Sequence, residues 1–147
     1  MRLLVQRVLH AAVKVEGQIV GEIPKGLLAL VGFHQADTPA LLPKAVHKLL
    51  HLRIFEDDQG RMNRSLIEVG GALLVVSQFT LYGRLEKGFR PSFTEAASAE
   101  QALQLYEAFL AELRSQAPSV PIATGRFGAF MEVSLLNYGP VTLLLEF

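Results

Sequence analysis

Apolar positions in the first third of the chain fall at two-residue spacing or in unbroken runs, and helical spacing sets in only later. Residues 3–8 and 11–15 read as strands, Glu16-Gly17 as a turn and residues 19–23 as a further strand, so the chain opens as a β meander. Pro24-Lys25-Gly26 then leads into Leu27-Leu28-Ala29-Leu30-Val31-Gly32-Phe33, a continuous apolar run that predicts a central strand covered on both faces. Thr38-Pro39 has the form of an N-cap followed by proline at the first helical position. The helix it opens places Leu42, Val46, Leu49, Leu50 and Arg53 three to four residues apart. Asp57-Asp58-Gln59-Gly60 and Gly70-Gly71 are turns, the second leading into another buried strand over 72–76 that ends at Ser77-Gln78. Ser98 to Gln101 has the spacing of a capping box. The helix behind it carries Ala102, Leu105, Tyr106, Phe109, Leu110 and Leu113 on one face until Pro118 and Pro121 end it. Residues 122–124, 130–136 and 141–146 return to β spacing. Strands dominate and two helices remain to cover a sheet, which predicts one mixed α+β (α/β) domain over 1–147.

Composition narrows the chemistry. Half of the 147 residues are hydrophobic and 19% are charged, as in a folded domain with a single good core. The absence of cysteine excludes disulfides, thiolate metal sites and a cysteine nucleophile, and fits a reducing cytoplasm. Net charge is zero, so any contact with nucleic acid must come from a local basic patch. The chain enters its first strand directly from Met1, and no apolar stretch is long enough to span a bilayer; the expectation is a cytoplasmic protein without signal peptide or membrane partner.

Two segments stand out at strand ends. Ser77-Gln78-Phe79-Thr80 offers hydroxyls, an amide and backbone N–H groups, either as catalytic groups or as the polar end of a buried strand. No G-x-S-x-G elbow surrounds Ser77, and nothing in the spacing sets one of the histidines at 10, 34, 47 and 51 beside it as a base. Gly139-Pro140 is the second; it reads as a turn between two strands, with proline unable to donate to a ladder. Between them, Arg84, Lys87 and Arg90, with Phe89 and Phe93, make a basic loop with interleaved aromatics, a pattern suited to phosphates and a stacked base or simply to a solvated loop. His47 and His51 have the i, i+4 spacing of a zinc pair, but the intervening glutamate is replaced by Lys48 and no third ligand is evident, so no metal site is expected. Arg7, a cation in the apolar first strand, reads as an outward-facing residue.

Taken in order, these segments resemble one family. Val5-Gln6-Arg7-Val8, Gly32 to His34, Arg61-Met62-Asn63 with Ser65-Leu66, and Ser77-Gln78-Phe79-Thr80-Leu81 carry the first half of the likeness. Lys87-Gly88 with Arg90 to Phe93, Thr124-Gly125 with Phe127-Gly128, and Asn137 with Gly139-Pro140-Val141-Thr142 carry the second. The chain resembles the D-aminoacyl-tRNA deacylases over its whole length. One departure is Tyr138, where the family pattern reads Asn-Asp-Gly-Pro-Val-Thr; aspartate there would cap local backbone and tyrosine cannot.

The resemblance implies a barrel-like sheet covered by two main helices, a homodimer, and hydrolysis of the ester of D-aminoacyl-tRNA, with glycyl-tRNA mischarged on tRNA-Ala also accepted. It implies a cis Gly139-Pro140 bond whose carbonyls enter the partner subunit's site and exclude L side chains, Arg7 holding that element, and catalytic roles for Ser77, Gln78, Phe79 and Thr80. Phe79 and Thr80 would act through backbone N–H groups, and Arg84, Lys87, Phe89 and Arg90 would hold the tRNA end. No cofactor is expected, and the partners are the aminoacylated tRNA end and a second copy of the chain, not DNA. Two other readings are a non-catalytic module that binds a tRNA end and a general serine esterase.

Overall fold

The two unbroken apolar runs become neighbouring parallel strands, and alternation along them feeds two separate cores. A computed structural model describes every residue from Met1 to Phe147 except Lys87. β3 (Gly26–Gly32) pairs with β6 (Ala72–Ser77) in parallel. Leu27, Ala29, Val31, Leu73 and Val75 face a core shared with the helices, whereas Leu28, Leu74 and Val76 face a second core inside the curl of the sheet. Both faces are therefore apolar, which is why the sequence shows no alternation there.

Helices α1 (Leu42–Leu50) and α2 (Ala99–Gln116) cover the first core through Val46, Leu49 and Leu50 and through Leu105, Phe109 and Leu113. Thr38 makes no side-chain cap; Pro39–Leu41 form a 3₁₀ turn and α1 ends at Leu50, so Arg53 lies beyond it and donates to the Asn63 carbonyl. Half of the expected capping box forms, the Ser98 Oγ accepting from the Gln101 N–H at 3.2 Å. The Gln101 amide instead donates to the carbonyls of Gln35 and Asp37 and ties α2 to the loop after β3. The Tyr106 hydroxyl, buried on α2, donates to the Val75 carbonyl at 3.0 Å, and burial pushes its pKa up to about 12. Because Val75 O also accepts from Gly125 N–H, Tyr106→Phe should lower stability by about 1 kcal/mol, the net worth of one buried hydrogen bond. Denaturant unfolding at constant m-value is the measurement.

The first strand is continuous where the sequence suggested two. β1 (Arg2–Val15) pairs with β3 along its first half, with β2 (Gln18–Ile23) along its second, and with β8 (Glu132–Glu146) along its other edge. Register shifts around Val8 exchange its faces: Leu3 and Val5 look toward the helices, whereas Ala11, Val13 and Val15 fill the second core. β7 (Ile122–Thr124) adds to β6, and the sheet curls until Gly21 of β2 lies against the Thr124 carbonyl with no room for a side chain. The result is a nearly closed, barrel-like sheet with two helices on one side. A separate hairpin, β4 (Phe55–Glu56) and β5 (Met62–Arg64), follows α1. Among the described residues no helix is long and apolar enough to cross a membrane.

Candidate active site

At the end of β6 the chain leaves the sheet in a tight turn. Gln78 N–H still bonds to Val31 O at 2.7 Å; residues Phe79–Tyr82 then form a 3₁₀ turn that closes when Leu81 N–H reaches Gln78 O at 3.3 Å. The N–H groups of Phe79 and Thr80 precede that first closed bond, so the turn itself offers them no acceptor. Gly32 permits this geometry. A Cβ there would lie 2.8 Å from the Gln78 carbonyl oxygen and 3.1 Å from Leu81 Cβ, so only glycine lets the turn settle on β3. Arg2 secures the far end, donating to Leu81 O at 2.7 Å with its guanidinium 4.7 Å from the Tyr82 ring centre. Burial, with Asp37 nearby, pushes the Tyr82 hydroxyl up to about 12, so it stays protonated at neutral pH and is no base.

This turn borders a cleft of about 520 Å³. Its lining includes Ser77, Gln78 and Phe79, Gly32 and Phe33, and residues 127–131. Small residues such as Ala97, Ala99, Ala102 and Gly128 leave it open and apolar. The Gln78 amide donates to Thr80 Oγ. Among the described residues no histidine hydrogen-bonds to Ser77 or Thr80: His10 meets Glu22, His34 Nδ1 accepts from Ala36 N–H, and His47 and His51 stack on each other at 4.2 Å. Among the described residues, then, Ser77 and Thr80 have no base beside them, and Thr80 itself does not line the cleft.

Gly139 and Pro140 are not a turn between two strands. β8 runs straight through them, and residues 138–141 bulge out opposite the single residue Arg7, between the pairs Gln6–Thr142 and Val8–Asn137. Their peptide bond is cis. The bulge is satisfied by two side chains. Asn137 accepts from Val141 N–H at 2.8 Å and donates to Val141 O and Thr142 Oγ, supplying the capping that tyrosine at 138 does not. Arg7 lies with Leu3 and Val5 on the helix side of β1 and is only 3% exposed, contrary to the outward orientation expected from sequence. Its Nε donates to Tyr138 O at 2.8 Å and one terminal nitrogen to Ile54 O at 2.5 Å. The other occupies the space that a side chain at 139 would need, 2.9 Å from where a Cβ would stand.

The basic loop is partly spent on itself. Arg84 and Ser92 exchange backbone hydrogen bonds, and the Arg84 guanidinium makes a two-point ion pair with Glu95 at 2.5 and 2.8 Å. Phe89 and Arg90 are exposed, and Lys87 lies outside the described residues. Phe93 packs edge-on against Phe79, with ring centres 5.0 Å apart, which links this loop to the 3₁₀ turn.

Within one chain the two singled-out segments stay apart. Gly139 is three strands and four register positions from Ser77, roughly 20 Å along the sheet at ordinary strand spacings. Asn137 and the cleft wall at 127–131 carry structural weight that sequence reading did not assign. The signal for Asn137 was an amide, able both to donate and accept, just ahead of a Gly-Pro pair. The apolar exposure of β8 was missed as well: Val133, Leu135, Leu136, Leu143 and Leu144, spread over both faces of the strand, are exposed, Leu136 at 58% and Leu144 at 51%.

Comparison with known proteins places this geometry. The sequence model of the family described as D-Tyr-tRNA(Tyr) deacylase matches residues 4–146. A D-aminoacyl-tRNA deacylase from Chloroherpeton thalassium is 58% identical over 146 residues, covering 99% of this chain and 95% of the relative. One from Ectopseudomonas mendocina is 54% identical, covering 99% of each chain. Among solved structures, a c-Myc DNA unwinding element binding protein superposes with a TM-score of 0.94 at 41% identity, over 99% of this chain and 98% of its own. A probable eukaryotic D-amino acid tRNA deacylase shares the fold, with a TM-score of 0.83 at 21% identity over 98% and 97% of the two chains. The chain belongs to the D-Tyr-tRNA(Tyr) deacylase family and is a hydrolase of ester bonds.

Proposed function

We propose that this protein clears D-amino acids from tRNA in the cytoplasm by hydrolysing the ester to the terminal ribose, with the reacting carbonyl held by backbone. The observation that supports this reading is the 3₁₀ turn Phe79–Tyr82 beside an apolar cleft that Phe79 lines, a turn that leaves the Phe79 and Thr80 N–H groups without an acceptor of its own. Water adds to the ester carbonyl, and the oxyanion that forms accepts from those two N–H groups. The C–O bond to the ribose then breaks, the ribose oxygen takes a proton, and tRNA and free amino acid leave. One such donor typically supplies about 3–4 kcal/mol of transition-state stabilisation, ample for an activated ester. The neighbouring 2′-hydroxyl of the terminal adenosine activates the water, while Ser77 and Gln78 position the substrate. Phe89, Arg90 and Lys87 serve the tRNA end, and Phe93 braces Phe79 from that side.

Chirality is read by the carbonyls of Gly139 and Pro140 from a second subunit, against which an L side chain collides and a D side chain does not. Glycine has no side chain to collide, so glycyl-tRNA mischarged on tRNA-Ala is also a substrate. The exposed apolar residues of β8, a strand paired only with β1, support the homodimer, since such a strand left bare invites pairing with another copy. DNA binding, named for one structural relative, is not carried over: zero net charge gives no broad field for a duplex.

The test compares D- and L-tyrosyl-tRNA under multiple turnover. Release of many equivalents from the D substrate alone is expected; equal rates on both reject the chiral mechanism, and release of one equivalent or less marks a binding module. Thr80→Ala should stay active, whereas a terminal 2′-deoxyadenosine should abolish turnover. The reverse pair of results, or inactivation by a serine-directed reagent, would make Thr80 or Ser77 the nucleophile instead.

A further inference from the structure

We infer that Tyr138 is a positioning residue for chirality selection, acting by stacking its ring on the guanidinium of Arg7; this rests on the role proposed for Gly139-Pro140. Arg7 is buried, and among the described residues no carboxylate lies within ion-pair distance of it. Its charge is met by two carbonyls, those of Tyr138 and Ile54, and by one π face: the Tyr138 ring centre is 4.9 Å from Cζ. Tyr138 therefore grips the same guanidinium twice, through its backbone oxygen and through its ring. A guanidinium held by two carbonyls alone keeps freedom to tilt about its long stem. The ring removes that freedom and fixes the plane from which the third nitrogen bears on Gly139.

The family pattern carries aspartate at this position, which has no ring to lay against Arg7. In this chain the orienting of the bulge thus depends on a contact that an acidic residue supplies differently or not at all. A phenol hydroxyl is not part of the contact; the π face is.

Three proteins decide it: the unaltered chain, Tyr138→Phe and Tyr138→Leu, each assayed for kcat/KM on D- and L-tyrosyl-tRNA. The ratio of the two is the readout, because partial unfolding lowers both rates alike and leaves their ratio unmoved. Tyr138→Phe should keep the wild-type ratio. Tyr138→Leu should lose about tenfold of it, the scale of one desolvated cation–π contact, chiefly through faster hydrolysis of the L substrate. An unchanged ratio in Tyr138→Leu, or an equal loss in Tyr138→Phe, overturns the role of the ring while leaving the chiral mechanism standing. A wild-type chain that fails to discriminate overturns the mechanism itself.

Discussion

Arg7→Met should melt about 10 °C below the unaltered protein and lose most of its discrimination between D and L substrates. Methionine keeps much of the side-chain length and apolar stem, so the change removes charge and donors with little change in volume. Two carbonyls, Tyr138 O and Ile54 O, then lose a charged donor in a position that is almost fully buried. At about 1.5–3 kcal/mol for each hydrogen bond to a charged group, the expected loss is about 3–6 kcal/mol. A domain of this size loses about 2–4 °C for each kcal/mol, which gives the predicted shift. The functional loss has a separate origin. Arg7 is the one residue of β1 opposite the bulge of residues 138–141, so without it the Gly139-Pro140 segment is anchored by Asn137 alone. Arg7→Lys separates the two effects, since it restores charge without the planar fork that reaches both carbonyls. It should recover part of the stability and little of the selectivity. A Met variant that melts normally and still rejects L-tyrosyl-tRNA removes Arg7 from the clamp.

What the sequence disclosed follows from how far each pattern depends on neighbours. The runs at 27–33 and 72–76 were readable as doubly covered strands because a strand with a core on each face must be apolar throughout. The burial of Arg7 was legible too, since it shares the parity of Leu3 and Val5; its cationic character outweighed that spacing in the reading. The continuity of β1 was not legible, because the shift near Val8 reverses the alternation and mimics a break. Gly139-Pro140 looked like a turn for a similar reason. What keeps β8 in line is the Asn137 amide and the Arg7 guanidinium, one of them far away in the chain. The backbone donors of Phe79 and Thr80 have no side-chain signature at all; only the glycine at 32, which admits the turn, marks them indirectly.

A mixed dimer of two defective chains should hydrolyse D-tyrosyl-tRNA at about half of the wild-type rate and still reject the L form, since a two-fold dimer with shared sites then contains one intact site and one doubly damaged site. The two lesions are chosen from the two halves of the proposed site. Gly32→Ala puts a Cβ 2.8 Å from the Gln78 carbonyl and lifts the 3₁₀ turn off β3, displacing the Phe79 and Thr80 donors. Gly139→Ala strains a backbone at φ +140° and drives a methyl group against the Arg7 guanidinium and the Val141 side chain. Each homodimer carries one kind of lesion in both of its sites: Gly32→Ala should lose about 10²-fold or more in turnover, the usual loss when an oxyanion donor is misplaced, whereas Gly139→Ala should keep turnover and lose selectivity. For Gly139→Ala the deficit should show in handling of the D and L pair, for Gly32→Ala in kcat on the D substrate. Co-expression with two different tags and sequential affinity purification yields the mixed species, and light scattering should give twice 16.1 kDa for it and for the parent. If each site were built within one chain, the only site with an unaltered 3₁₀ turn would carry the Gly139→Ala lesion, and the L form would be hydrolysed as well. Recovery thus reports one fact, that residues about 20 Å apart in a single sheet meet across an interface. The interface that would bring them together is the bare strand β8 with its exposed leucines, and Leu136→Glu or Leu144→Glu there should shift the mass toward 16.1 kDa and abolish recovery with it.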